Sequence, residues 1–133
     1  MITSISHITL FVSNQERALT FYQNIGFEVH TDAQLGGMRW LTLCLPQQKN
    51  LELVLMLAET AVEKALVGKQ DGDKPIFNLA TDNCEQDYER LSQQGVTFTQ
   101  KPITEPWGIS AVFKDSEGNT VYLCQSHEGQ HGE

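Results

Sequence analysis

The chain has 133 residues and a formal net charge of −8, a length that suits one domain and is enough to bury one core. Its ordinary apolar and charged content excludes a disordered or fibrous chain, and its acidic balance argues against a nucleic-acid partner, which would need Lys and Arg concentrated on one face. No stretch reaches the apolar length that crosses a bilayer, the opening MITSISHITLFV lacks the basic flank and apolar run of a signal peptide, and Cys44, Cys84 and Cys124 form neither a CxxC pair nor a Cys/His cluster. The expectation is a cytoplasmic protein with reduced thiols and no membrane association.

In SISHITLFV, Ile8, Leu10 and Val12 alternate with His7, Thr9 and Phe11, the period-2 pattern of a strand. A helix follows. Ser13 and Asn14 are N-cap residues, Ser13 with Glu16 spells a capping box, Gly26 stands where a glycine closes the last turn, and Ala18, Phe21, Tyr22 and Ile25 form a face spaced to pack on a sheet. Phe27 to His30 reads as a short strand, AQLGG as a turn, and MRWLTLCL as a strand with Leu41, Leu43 and Leu45 opposite Trp40, Thr42 and Cys44. After the turn PQQKN, LELVLML sets Leu51, Leu53, Leu55 and Leu57 opposite Glu52, Val54 and Met56. These elements make a β-α-β-β-β module over about residues 4–57.

AETAVEKALVGK predicts a linker helix within about residues 58–74, and QDGDKP a solvated turn. From Pro75 the order returns: strand IFNLAT, caps Asp82 and Asn83, helix CEQDYERLSQQ, Gly95, strand VTFT, loop QKPITEPWG, strand ISAVFK, turn DSEGN and strand TVYLCQ. This second module covers about residues 75–126, and 127–133 form a tail. Gly26 and Gly95 lie 69 residues apart, as do Glu16 and Glu85 at the helix starts. Element order and punctuation therefore predict an α+β fold in a single domain over 1–133. Its two tandem βαβββ modules form curved mixed sheets around a cavity, with helices on the outer face.

The strands share a division into one aliphatic face and one mixed face. The mixed face gathers His7, Phe11, Trp40, Glu52, Asn78 and Tyr122 among smaller residues, as expected of a sheet bordering a small-molecule cavity. A solvated face or a dimer interface gives the same pattern. Imidazole and carboxylate are ligand types for Zn²⁺, Ni²⁺, Fe²⁺ and Mn²⁺, so His7 and Glu52 are candidate metal ligands. The internal offset carries His7 onto Ile76 and Glu52 onto Val121 or Tyr122, with strand phase selecting Tyr122. Ile has no donor, and Tyr is an infrequent ligand. His127 and His131 have a metal-binding helical spacing, but their glycine-rich setting reads as a disordered tail. Cys44 and Cys124 have no neighbouring base that would make either a nucleophile.

The segments SISHITLFVSNQERALTFYQNIGFEV and LELVLM in the first half, and ATDNCEQDYERLSQQGVTF and VFKDSEGNTVYL in the second, resemble the vicinal oxygen chelate superfamily across nearly the whole chain. That group contains glyoxalase I, bleomycin-resistance proteins, fosfomycin-resistance enzymes and extradiol dioxygenases. The resemblance implies two metal-ligand positions per module, here His7, Glu52, Ile76 and Tyr122. The first pair matches the glyoxalase pattern, in which such a Glu also serves as base. The second-half His and Glu of the dioxygenase pattern are missing.

Three readings follow. The first is a homodimeric binding protein like the bleomycin-resistance branch, holding a small organic ligand without a full metal site. Phe11, Trp40, Trp107 and Tyr122 would supply stacking surfaces, and Arg39, Asn78 and Glu105 would orient polar groups. The second is a glyoxalase-type lyase or isomerase, in which a divalent Zn, Ni, Mn or Fe on His7 and Glu52 stabilises an enediolate while Glu52 moves the proton. The third is metal-free catalysis by Glu52 and His7 as an acid-base pair. The half-kept ligand set favours the first.

Overall fold

Asn14 and Asn83 start the two long helices, Gly26 and Gly95 close them, and the computed structural model, which describes residues 1–127, has a β-α-β-β-β succession around each. The chain divides into two compact units, Met1–Gln70 and the residues from Asp71 onward. Each carries a four-stranded mixed sheet, giving an α+β architecture.

In the first unit, β1 (His7–Val12), α1 (Gln15–Asn24), β2 (Glu28–Leu35), β3 (Met38–Leu45) and β4 (Gln48–Leu57) precede the short α2 (Ala61–Leu66). The strand order is β1-β4-β3-β2, with β1 parallel to β4 and the other pairs antiparallel. The predicted alternation holds in the middle of the strands, where Leu10, Val12, Leu41, Leu43, Leu53 and Leu55 are buried, but Ile8 and Leu57 of the same face are exposed and Thr42, Cys44 and Val54 of the opposite face are buried too; α1 buries Ala18 and Tyr22 as it packs on β4 and β2. Each such leucine contributes about 1.5–3 kcal/mol through removal of apolar surface from water. Tyr22 meets Phe21 and Phe27 edge-on, with centroids 5.2 and 5.3 Å apart. At Gly26 the backbone takes φ 121°, a conformation that glycine reaches without a Cβ penalty.

Several boundaries differ from the sequence reading. Asn14 alone caps α1, its side chain accepting from the Arg17 backbone N–H, so the Ser13–Glu16 capping box does not form. Glu16 instead reaches Arg39, and the Ser13 hydroxyl accepts from the Arg17 guanidinium at 2.7 Å. A capping box does exist at Thr60 and Glu63 of α2. The linker helix has only six residues and ends before Gly68, whose φ is 76°. Strand β2 runs on to Leu35 because its ladder to β3 continues to Leu35↔Met38, leaving Gly36 and Gly37 as a two-residue turn.

The second unit contains β5 (Pro75–Ala80), α3 (Cys84–Gln93), β6 (Phe98–Glu105), β7 (Gly108–Lys114) and β8 (Thr120–Ser126), in the order β5-β8-β7-β6. Strand β5 is parallel to β8, and α3 packs on β6, β7 and β8, burying Cys84 and Leu91 beside a sheet face of Ala111, Phe113, Val121 and Leu123. The expected loop QKPITE is strand up to Glu105. Pro102 fits because β6 is an edge strand, and its ladder to β7 is irregular between Gln100 and Ile103. The DSEGN turn is closed by buried Asp115, whose carboxylate accepts from the backbone N–H groups of Glu117 and Asn119 and from the Asn119 amide. His131 lies outside the described residues; the His127 backbone N–H donates to the Trp107 carbonyl at 3.1 Å.

Candidate functional site

Parallel pairing of β1 with β4 sets His7 directly across from Glu52, on the mixed face of the first sheet. The His7 Nε2 lies 3.4 Å from Glu52 Oε2, and its Nδ1 is 2.8 Å from the Ser6 hydroxyl. From β3, the fully buried Thr42 donates its hydroxyl to Glu52 Oε1 at 2.7 Å. Trp40, two residues earlier and therefore on the same face, is tilted toward the His7 ring with centroids 6.0 Å apart. The carboxylate is 16% exposed and His7 40%, so the cluster stands at the margin between core and solvent.

A second imidazole completes it. Between Val29 and Thr31 the register of β2 against β3 shifts, Val29 pairing with Leu43 and Thr31 with Thr42, which leaves His30 as the extra residue of a β-bulge. The bulge brings His30 Nδ1 within 3.2 Å of Glu52 Oε1 and 2.9 Å of the Thr31 hydroxyl. Sequence reading missed His30. Its phase matched that of Glu28, but nothing local showed that an edge strand would bend across β3 to reach β4.

Arg39 neighbours Trp40 in sequence, and its guanidinium is engaged in pairing: Nε and Nη2 donate to the two oxygens of Asp32 at 2.9 and 2.8 Å, and Nη1 to Glu16 at 2.5 Å. These bonds, the Asp32 one foremost, hold its pKa above the ordinary guanidinium range and hold the Asp32 carboxyl below its own. The Arg39 carbonyl accepts from the Gln15 amide, which also reaches the Leu55 carbonyl. Phe11 is part-buried further along β1, where its N–H donates to Gln70 Oε1 at 2.6 Å while the Gln70 amide donates to the Thr9 carbonyl. That carboxamide covers part of the open edge of β1.

In the second unit Asn78 and Tyr122 are paired neighbours on β5 and β8, Asn78 exposed and Tyr122 half-buried. Glu105 and Trp107 lie elsewhere, at the β6–β7 turn, where Trp107 is 41% exposed. The ladder changes the internal correspondence. Thr9 pairs with Val54, while Asn78, 69 residues after Thr9, pairs with Tyr122. Tyr122 therefore occupies the place of Val54 and not, as the numerical offset suggests, that of Glu52. Ile76 falls where the β5–β8 register is irregular. Burial raises the pKa of the Cys44 and Cys124 thiols, with nearby Glu28 adding to the effect at Cys44.

Ile76 brings no donor atom, and among the described residues no group of three or more His, Cys, Asp and Glu side chains is arranged to hold a metal ion. The Glu52 oxygens meet protein groups instead: Thr42 and His30 at Oε1, His7 at Oε2.

Residues 4–123 match the model of the Glyoxalase/Bleomycin resistance protein/Dioxygenase superfamily. Among solved structures, the chain is similar to UcmS2, with 35% identity, a TM-score of 0.83 and coverage of 93% of this chain and 98% of that one. It is also similar to TnmS3, an antibiotic-binding protein from Streptomyces sp. CB03234, with 28% identity, a TM-score of 0.77 and coverage of 95% and 98%. Glutathione transferase FosA of Serratia marcescens is 29% identical over 126 residues, covering 92% of this chain and 81% of that protein.

Proposed function

The chain belongs to the Glyoxalase/Bleomycin resistance protein/Dioxygenase superfamily, and on that footing we propose that it binds a small organic molecule against the mixed face of its first sheet, without a full metal site. The observation that carries this reading is the engagement of Glu52: its carboxylate oxygens are met by Thr42, His7 and His30, so it forms a fixed polar wall beside Trp40. A half-buried indole next to an ordered polar cluster suits a planar ligand that stacks and is oriented by a few hydrogen bonds. The likeness to an antibiotic-binding protein supports the same ligand class. The reading includes a homodimer and residence in the cytoplasm, the latter in keeping with three unpaired cysteines.

Tryptophan fluorescence tests it. Titration with a panel of planar aromatic antibiotics should give saturable quenching in wild type and in Trp107→Phe, and a much weaker response in Trp40→Phe. Calorimetric titration with Ni²⁺, Zn²⁺, Mn²⁺ and Fe²⁺ serves as the counter-experiment. Stoichiometric metal binding abolished by His7→Ala would replace the binding reading with a glyoxalase-type lyase or isomerase.

A further inference from the structure

Cross-strand register lines up four residues of the second sheet in a single row. Asn78 pairs with Tyr122, Tyr122 with Val112 and Val112 with Gln100, so the row crosses β5, β8, β7 and β6 with its side chains on one face. It spans about 14 Å, three strand spacings. Gln100 reaches this face through an irregularity in β6: Phe98 pairs with Phe113 and Gln100 with Val112, so one residue between them is extra and those after it change face. The matching row of the first sheet is Thr9, Val54, Thr42 and Thr31, all short side chains. The long polar groups belong to the second sheet.

Gln100 carries no titratable proton, and its orientation is set by a partner that can only accept. Its Nε2 donates to the Ser110 carbonyl and to the Ser110 hydroxyl, both at 3.3 Å, and Ser110 is fully buried. A backbone carbonyl has acceptor lone pairs alone, so the amide nitrogen is the atom that faces it and Oε1 is the atom to spare. Neither that oxygen nor the Tyr122 hydroxyl has a partner among the described residues, and no buried side-chain polar atom there is unsatisfied, so both are open to solvent. This row and the one beside it, Ala80, Cys124, Ser110 and Ile103, contain no acidic, basic or imidazole side chain to balance a charged ligand. We infer that the face is a ligand site of its own, for a flat, uncharged aromatic amine that lies along the row between Tyr122 and Gln100. The amine donates an N–H to Gln100 Oε1 and packs against the Tyr122 ring. The site is built from the second sheet and does not depend on the first-sheet reading.

The test pairs 4-nitroaniline with N,N-dimethyl-4-nitroaniline, which keeps the flat ring and removes the N–H donors. Affinities are read from the NMR shift of the Tyr122 backbone amide, a reporter within the second sheet. Wild type should prefer the primary amine about fivefold, the value of one neutral hydrogen bond. Gln100→Met should abolish that preference and leave the affinity for the dimethyl compound unchanged. Gln100→Met combined with Ser110→Ala should behave the same way, and it leaves no buried hydroxyl without a partner if the single variant fails to fold. Trp40→Phe should alter neither affinity. Equal binding of the two probes in wild type, or a preference that survives either Gln100 variant, overturns the assignment to Gln100. Shifts at Tyr122 that Trp40→Phe removes overturn a separate second-sheet site. No shift with either probe overturns the inference altogether, while the first-sheet reading stands or falls by Trp40 quenching.

Discussion

The Thr42–Glu52 contact sets how firmly the polar wall is held, and Thr42→Val tests it with almost no change of shape. Thr42 is fully buried and its hydroxyl donates at 2.7 Å to a carboxylate that is 16% exposed. A hydrogen bond to a charged group contributes about 1.5–3 kcal/mol. Glu52 keeps some water and both histidines, so the lower end applies, about 1.5 kcal/mol, or a fall in Tm of about 4–6 °C for a chain of this size. The assay is urea unfolding of wild type, Thr42→Val, Glu52→Ala and the double variant. The coupling in that cycle isolates the pair, and about 1–1.5 kcal/mol is expected. A coupling within about 0.3 kcal/mol of zero would show that Thr42 does not hold the carboxylate, and would remove the ordered wall on which the site rests.

Gly108→Ala should be severe, because a Cβ there would sit 2.0 Å from the Gln125 carbonyl oxygen in the adjacent β8 backbone. A loss of about 3 kcal/mol is expected in urea unfolding, against less than about 0.5 kcal/mol for Gly37→Ala, where a Cβ meets nothing within 4 Å. Asn14→Ala and Asn83→Ala should each cost about 1 kcal/mol as lost N-caps, whereas Asp82→Ala should stay within about 0.5 kcal/mol, all read from thermal melts. Burial first, then nearby Asp87, pushes the Cys84 thiol from its ordinary 9.0 up to about 11. The folded state disfavours the thiolate, so this contribution is whole below pH 9 and is lost as pH rises toward about 11. Cys84→Ala should flatten the pH dependence of stability in that window, and an unchanged slope would contradict the burial argument.

The alternation of Leu10, Val12, Leu41, Leu43, Leu53 and Leu55, with the asparagines and glycines that open and close both long helices, determined the two βαβββ modules. Those features act within a few residues, through side-chain period and capping, and need no distant partner to be read. His7 and Glu52 were legible on the same grounds, since strand phase places both on the mixed face. Tertiary structure decided three other matters. Ladder register aligned Tyr122 with Val54, which no count along the chain could do because β5 and β8 pair irregularly at Ile76. Pairing with β7 turned QKPITE from an expected loop into an edge strand. The bulge in β2 carried His30 to Glu52, making a pair of candidate ligands into a carboxylate held between two imidazoles. Each depends on where a neighbouring strand lies in space, a non-local quantity that residue order alone does not contain.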